Sequence, residues 1–287
     1  RLETVERDRF LRLVETARCD SLVLSGGALD HLHLARELAD RAPETKVRVL
    51  WHGSFLQTSE DYAWQGMRLM TDLARRGHVH AIGFVKEGMA EVLAQQGIRA
   101  GFVMNYVDEI PEQASKAADE GPHFGMWISN EGWRKMPYAM AAGVARIPDA
   151  NLHYNGDRKR LVEFARLVGL KTQAHGDGLF EAEELRKWMR LMHVNVYVTL
   201  SECCPMLPLE SLSVGAPCLV GANSHLFRDD RYLFDRLVVP FSDSSEAIYE
   251  KLVQAMEERD EIIEAYRDYA PGYNARARAS VKTFLEL

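Results

Sequence analysis

Short apolar runs alternate with amphipathic helical stretches along almost the whole chain, and that alternation limits the possible folds more than any other feature. Residues 21–24 lead into a helical pattern over 29–39. Residues 47–50 lead through a polar loop into 63–75. Residues 80–84 precede a helix over 89–96, and 100–104 follow it. From Ile110 to Gly121 the text turns polar and charged and contains proline, which reads as a linker. Alternation then resumes, with strands expected over 124–128, 151–154, 194–200 and 217–220. Helices are expected over 137–145, 158–168 and 208–214. The run 244–287 reads as helical, broken near Pro271-Gly272. Strands separated by helices of about ten residues predict parallel βαβ units with both sheet faces covered. The fold class expected is therefore α/β, with two Rossmann-type doubly wound domains.

A chain of 287 residues with 47% apolar content can build two such cores. Its formal net charge is −7, and the one dense basic run, Arg158-Lys159-Arg160, reads as a solvated helix face. Without a basic stripe, nucleic-acid binding is disfavoured. No apolar stretch approaches the roughly 18 residues that a membrane span needs, and the opening residues are not expected to act as a signal peptide. Four cysteines without CxxC spacing suit free thiols in a reducing cytoplasm.

The chemistry concentrates between Ser201 and Gly221. Glu202 follows the strand expected at 194–200, and ligands of open α/β sheets sit beyond the carboxyl ends of strands. Pro208 suits a first helical turn, so the amides of Met206 and Leu207 would face the crevice and could receive a phosphate. Glu210 is expected on that first turn, reaching back to the same place. Carboxylates grip sugar and ribose hydroxyls, while amides hold a diphosphate. The bland alternative makes Glu210 a partner of the helix dipole and Glu202 a loop charge.

Two glutamates separated by seven residues, followed by Ser211–Pro217 and an apolar strand, resemble the E-x7-E signature of retaining GT-B glycosyltransferases, the large GT4 family above all. Met104-Asn105-Tyr106-Val107-Asp108 resembles the P-N-G-V-D that ends their first domain. Trp51-His52-Gly53 lies where they often carry an active-site histidine. Residues 131–142 and His153-Tyr154-Asn155-Gly156 resemble the opening of their donor domain.

The resemblance implies an acceptor-side domain over 1–115, a donor domain over 116–270, and a C-terminal helix over 271–287 crossing back to the first. It implies transfer of a hexosyl group from a nucleotide-sugar donor to a hydroxyl acceptor on a sugar, a lipid-linked glycan or a protein, with retention and without metal or other cofactor. The setting would be cytoplasmic, with peripheral attachment to the inner membrane face as a variant. Glu202 and His52 would act at the reacting sugar. Glu210 would bind ribose, while Pro205, Met206, Leu207, Arg134 and Lys135 would hold sugar and diphosphate. Gly176, Asp177, Gly178 and Leu179 would lie near the base.

Several departures are visible. Met126 stands where the family's arginine follows its glycine, and Glu202-Cys203-Cys204-Pro205 replaces E-G-F-G. Only about fifty residues precede His52. The first domain is therefore expected to be truncated: either the chain is a fragment, or upstream sequence of the same polypeptide completes that domain. These departures favour one alternative, a non-catalytic GT-B-like binding or assembly module; against a further one, a nucleotide-sugar epimerase, stand the E-x7-E segment and the loop from Glu131 to Lys135.

Other motifs point elsewhere only weakly. His31-Leu32-His33 and His78-Val79-His80 could ligate a metal if paired on a strand, but their positions speak against it. Gly26-Gly27 lacks the rest of a dinucleotide fingerprint and reads as a turn. Trp188 and Tyr197 fit core spacing, with no binding role expected of them.

Overall fold

A computed structural model describes residues 4–118 and 121–287. Residues 1–3 of the expected first domain, and residues 119–120 of the expected linker, lie outside it. The chain divides into two compact units, 1–105 together with 276–287, and 106–275.

The first unit begins with α1 (Thr4–Ala17) and continues through β1 (Ser21–Ser25), α2 (Leu29–Arg41), β2 (Lys46–Trp51), α3 (Asp61–Arg75), β3 (Ala81–Phe84), α4 (Met89–Ala94) and β4 (Ala100–Phe102). The four strands are parallel, in the order β1-β2-β3-β4. Leu24, Val47, Val49, Ile82 and Phe84 of the strands pack with Leu32, Leu38, Met70 and Leu73 of the helices into one core.

The second unit holds β5 (His123–Met126), α5 (Pro137–Ala145), β6 (Asn151–Asn155), α6 (Lys159–Leu167), β7 (Lys171–His175), α7 (Ala182–Arg190), β8 (Val194–Tyr197), α8 (Met206–Ser213), β9 (Cys218–Gly221), α9 (Arg231–Leu237), β10 (Val238–Val239) and α10 (Ser245–Glu257). Its six parallel strands run β10-β9-β8-β5-β6-β7. The order reverses between β5 and β8, which is the switch point where such sheets open a ligand crevice. The final helix α11 (Arg259–Glu286) runs unbroken through Pro271, contrary to the expected break. Its residues to 275 belong to the second unit and those from 276 to the first.

The expected division after residue 115 falls instead after Asn105, because the stretch read as a linker is tied into the second unit. The Ser115 amide donates to the Gly215 carbonyl at 2.8 Å, and Ala118 to Leu191 at 3.0 Å. The Arg259 guanidinium holds both the carbonyl and the hydroxyl of Ser115. Likewise Arg158 is no solvated charge. Its guanidinium binds the carbonyls of Asn155 and Ile128, at the entrance to α6. Among the described residues, no helix is long and apolar enough to cross a membrane.

Candidate functional site

The switch point is built on a close approach. Gly125 pairs with Asn195 across β5 and β8, and a Cβ on Gly125 would stand 2.3 Å from Asn195 Oδ1 and 2.5 Å from Trp127 Nε1. The space serves a buried network. Trp127 Nε1 donates to Asn195 Oδ1 at 2.7 Å, and Asn195 Nδ2 donates to Ser211 Oγ at 2.8 Å and to the Met189 carbonyl at 3.1 Å. These bonds lock β5, β8, α7 and α8 together beneath the loops that leave β5 and β8.

Those loops bring Arg134, Lys135 and Glu202 together. A 3-10 turn over Trp133–Lys135 ends in Met136, held at φ 53°, so Lys135 turns inward just before α5. The Leu200 amide donates to the Arg134 carbonyl at 2.8 Å and fastens one loop to the other. Lys135 Nζ pairs with Glu202 Oε1 and donates to Tyr197 Oη at 2.6 Å. Tyr197 in turn donates to Glu202 Oε1 at 3.1 Å, and Arg134 Nη1 lies 3.4 Å from the same oxygen. Burial, and after it the Glu202 carboxylate, pushes the Tyr197 phenol far above its usual pKa, so it stays a neutral donor. The Asn223 side chain accepts from the Glu202 amide at 3.2 Å and donates to the Thr199 carbonyl.

Among the described residues, every side-chain bond to Glu202 falls on Oε1 and none on Oε2. Two cations against one carboxylate give the cluster a net positive charge, suited to an anion. Lys135 is only 4% exposed, and a buried ammonium is tolerated because its partners replace the lost water.

Helix α8 starts at Met206, two residues before the expected start, with Pro205 as an N-cap that offers no side-chain acceptor. The first-turn amides, those of Met206 and Leu207 among them, have no partner within the helix. Pro208 sits third, where its missing N–H costs nothing. Glu210 is consequently the fifth helical residue, on the second turn and not the first, since the helix gains its first two residues from the loop. Its half-buried carboxylate makes no hydrogen bond or ion pair among the described residues. Burial raises its pKa most, Arg186 opposes the rise and Glu109 adds to it. Among the described residues, Glu202 and Glu210 share no hydrogen-bonding or ion-pair partner. A cleft of about 510 Å³ lies beside Arg186, lined also by Glu109, Lys187 and Arg190.

Gly176, Asp177, Gly178 and Leu179 follow β7 at the sheet edge, with Leu179 77% exposed. Asn155 ties this loop to the one after β5. Its Nδ2 donates to the Gly178 carbonyl at 3.0 Å, and its Oδ1 accepts from the Ile128 amide at 3.1 Å. Below lies a line of imidazoles. His123 Nδ1 meets His153 Nε2 at 2.7 Å, and His153 Nδ1 meets His175 Nε2 at 2.8 Å. Burial, then the flanking His175 and His123, pushes His153 down to about 4.

In the first unit, His52 follows β2, and its Nε2 lies 2.9 Å from Ser25 Oγ at the end of β1. Gly27 and Gly53 flank the indole of Trp51, since a Cβ on either would stand within 2.5 Å of that ring. His80 of the second H-x-H pair is engaged by Arg99 at 2.8 Å. Among the described residues, no cluster of three or more His, Cys, Asp or Glu could hold a metal.

Sequence reasoning named Glu202, Arg134 and Lys135, and the structure assembles them. It missed Asn223, gave Asn155 no role of its own within the motif 153–156, and assigned Tyr197 to packing alone. Tyr197 is buried as expected, but its hydroxyl completes the ion cluster. No local pattern gives these three their partners, since polar residues at the end of a strand, as Asn155 and Tyr197 are, or just beyond one, as Asn223 is, are common.

No protein-family model and no curated protein sequence matches this chain. Solved structures do. HepE of Anabaena, in complex with UDP-glucose, matches with a TM-score of 0.73 at 11% identity, covering 98% of this chain and 82% of HepE. Sucrose-phosphate synthase of Thermosynechococcus elongatus matches at 0.64 and 10% identity, covering 97% and 79%. The apo form of the lipopolysaccharide outer core galactosyltransferase WaaB matches at 0.59 and 16% identity, covering 93% and 75%. The chain has the α/β fold of the GT-B glycosyltransferases.

Proposed function

We propose that this chain transfers a hexosyl group from a nucleotide-diphosphate sugar to a hydroxyl acceptor, with retention and without a metal. The observation that carries this reading is the Arg134–Lys135–Glu202 cluster at the switch point of the second unit. In this reading the diphosphate lies against the amides of Met206 and Leu207, beside Pro205. Arg134 and Lys135 meet the charge that grows on it as the glycosidic bond to phosphate breaks. Oε2 of Glu202 takes a sugar hydroxyl. Glu210, half-buried and without a hydrogen bond or ion pair among the described residues, takes the ribose hydroxyls, and the loop 176–179 flanks the base. His52 acts at the sugar. HepE is recorded with UDP and with UDP-glucose, so a UDP-sugar is the donor to try first. Free thiols at Cys19, Cys203, Cys204 and Cys218 suit a reducing, cytoplasmic setting.

The test is a thermal-shift screen against UDP, GDP, ADP, CMP and their sugar conjugates. A ligand at about 100 times its dissociation constant adds roughly 2.7 kcal/mol, which is readily seen. The expected result is a rise with one nucleotide that is lost in Glu210→Ala. No rise with any of them would sink the reading and leave a binding module on the same fold.

A further inference from the structure

Ser25 is the last residue of β1, paired in register with Leu50 of β2, and the next amide, Gly26, donates to the Leu50 carbonyl at 2.8 Å. The end of one strand is thus fastened to the other two residues before His52. The backbone around His52 is also fixed from below. Trp51, 5% exposed, fills the space that a side chain at Gly27 or Gly53 would need.

On this frame Ser25 Oγ lies 2.9 Å from His52 Nε2. Among the described residues, neither the Ser25 hydroxyl nor Nδ1 of His52 has another hydrogen-bonding partner, and Nδ1 is not sealed from solvent. Burial lowers the His52 pKa, so the ring is neutral near pH 7, with one nitrogen protonated and the other a lone-pair acceptor. Which nitrogen carries the proton is set by the bond the other makes.

We infer that Ser25 is the positioning residue of His52. Its hydroxyl donates to Nε2, holds the ring as the Nδ1–H tautomer, and leaves Nδ1–H as the donor offered to a substrate oxygen. Free histidine favours the opposite tautomer, so the serine reverses the intrinsic preference. The substrate in this statement rests on the transferase reading; the tautomer does not.

The experiment is long-range proton–nitrogen NMR of the full chain labelled with nitrogen-15 histidine at about pH 7.5, with His52→Gln identifying the ring's signals. Expected is an Nδ1–H pattern in the native chain, an Nε2–H pattern in Ser25→Ala, and return of the native pattern in Ser25→Thr. An Nε2–H pattern in the native chain would overturn the inference, as would identical patterns in the native chain and Ser25→Ala. Turnover of UDP-glucose then reads the role. Ser25→Ala should lower kcat roughly tenfold, about 1.4 kcal/mol, at unchanged KM, and threonine should restore it. A change confined to KM would overturn the positioning role. Absence of any nucleotide binding alongside the expected NMR pattern would instead overturn the transferase reading and leave the tautomer assignment in place.

Discussion

The ammonium of Lys135 and the carboxylate of Glu202, 67 residues apart in the chain, form an ion pair at the switch point of the second sheet. Both are largely withdrawn from water, with side-chain exposures of 5% and 12%, so removing either leaves a poorly solvated charge without its nearest counter-charge. Lys135→Met should therefore destabilise the fold by about 3 kcal/mol, read as a lower denaturation midpoint at unchanged slope. The double variant with Glu202→Leu should recover much of that loss. A double variant no more stable than the single one would show that the pair is not coupled as described.

Gly125 tests the network under the site. Gly125→Ala places a methyl against Asn195 Oδ1 and Trp127 Nε1, at 2.3 and 2.5 Å. One side must move, at a cost of about 2–3 kcal/mol. Near-ultraviolet circular dichroism should report the displaced Trp127, and an unchanged midpoint would show that the strands relax freely.

Glu210 offers a stability signature opposite to that of a paired carboxylate. Its folded pKa is raised above the usual 4.5, chiefly by burial, so the folded state holds the proton more tightly than the unfolded chain. Stability associated with Glu210 is thus full below about pH 4.5 and declines as pH rises through the folded value. Glu210→Gln should leave acid stability unchanged and raise the melting temperature at pH 7.5 by a degree or more, roughly 0.5 kcal/mol. A fall at pH 7.5 would mean that the carboxylate has a stabilising partner.

The imidazole line gives acid sensitivity. His153 is held down to about 4, while the unfolded chain protonates near 6.5. Between those values the unfolded state binds more protons, so stability is complete above about pH 6.5 and is lost as pH falls towards 4. The loss should reach about 2 kcal/mol from this residue, and His153→Gln should flatten the slope of midpoint against pH in that window. An unaltered slope would place the acid sensitivity elsewhere.

The parallel α/β class followed from the sequence because side-chain periodicity and the spacing of apolar runs are local, and each βαβ unit writes both into a short stretch. Glu202 was legible for a related reason, since it lies just beyond a strand, whereas Arg134 and Lys135 were named only through the resemblance to a donor-domain loop. Local patterning failed at β7, which the sequence reading omitted together with α7. Its residues Lys171 to Ala174 stand at the sheet edge, largely exposed, so they carry no apolar run to announce a strand. It failed again at the start of α8 and in the middle of α11, where capping and packing decide whether loop residues join a helix and whether Pro271 interrupts one.

Only the tertiary structure could decide partnership. That β5 lies beside β8, and not beside β7, puts Lys135 on Glu202, Trp127 on Asn195 and Tyr197 on both charges. Strand order is settled by how helices cover both faces of a sheet at once, which is a property of the whole unit. The same sequence therefore stated which residues end strands, while the packing of distant segments chose which of them meet, and with them the charge that the site presents.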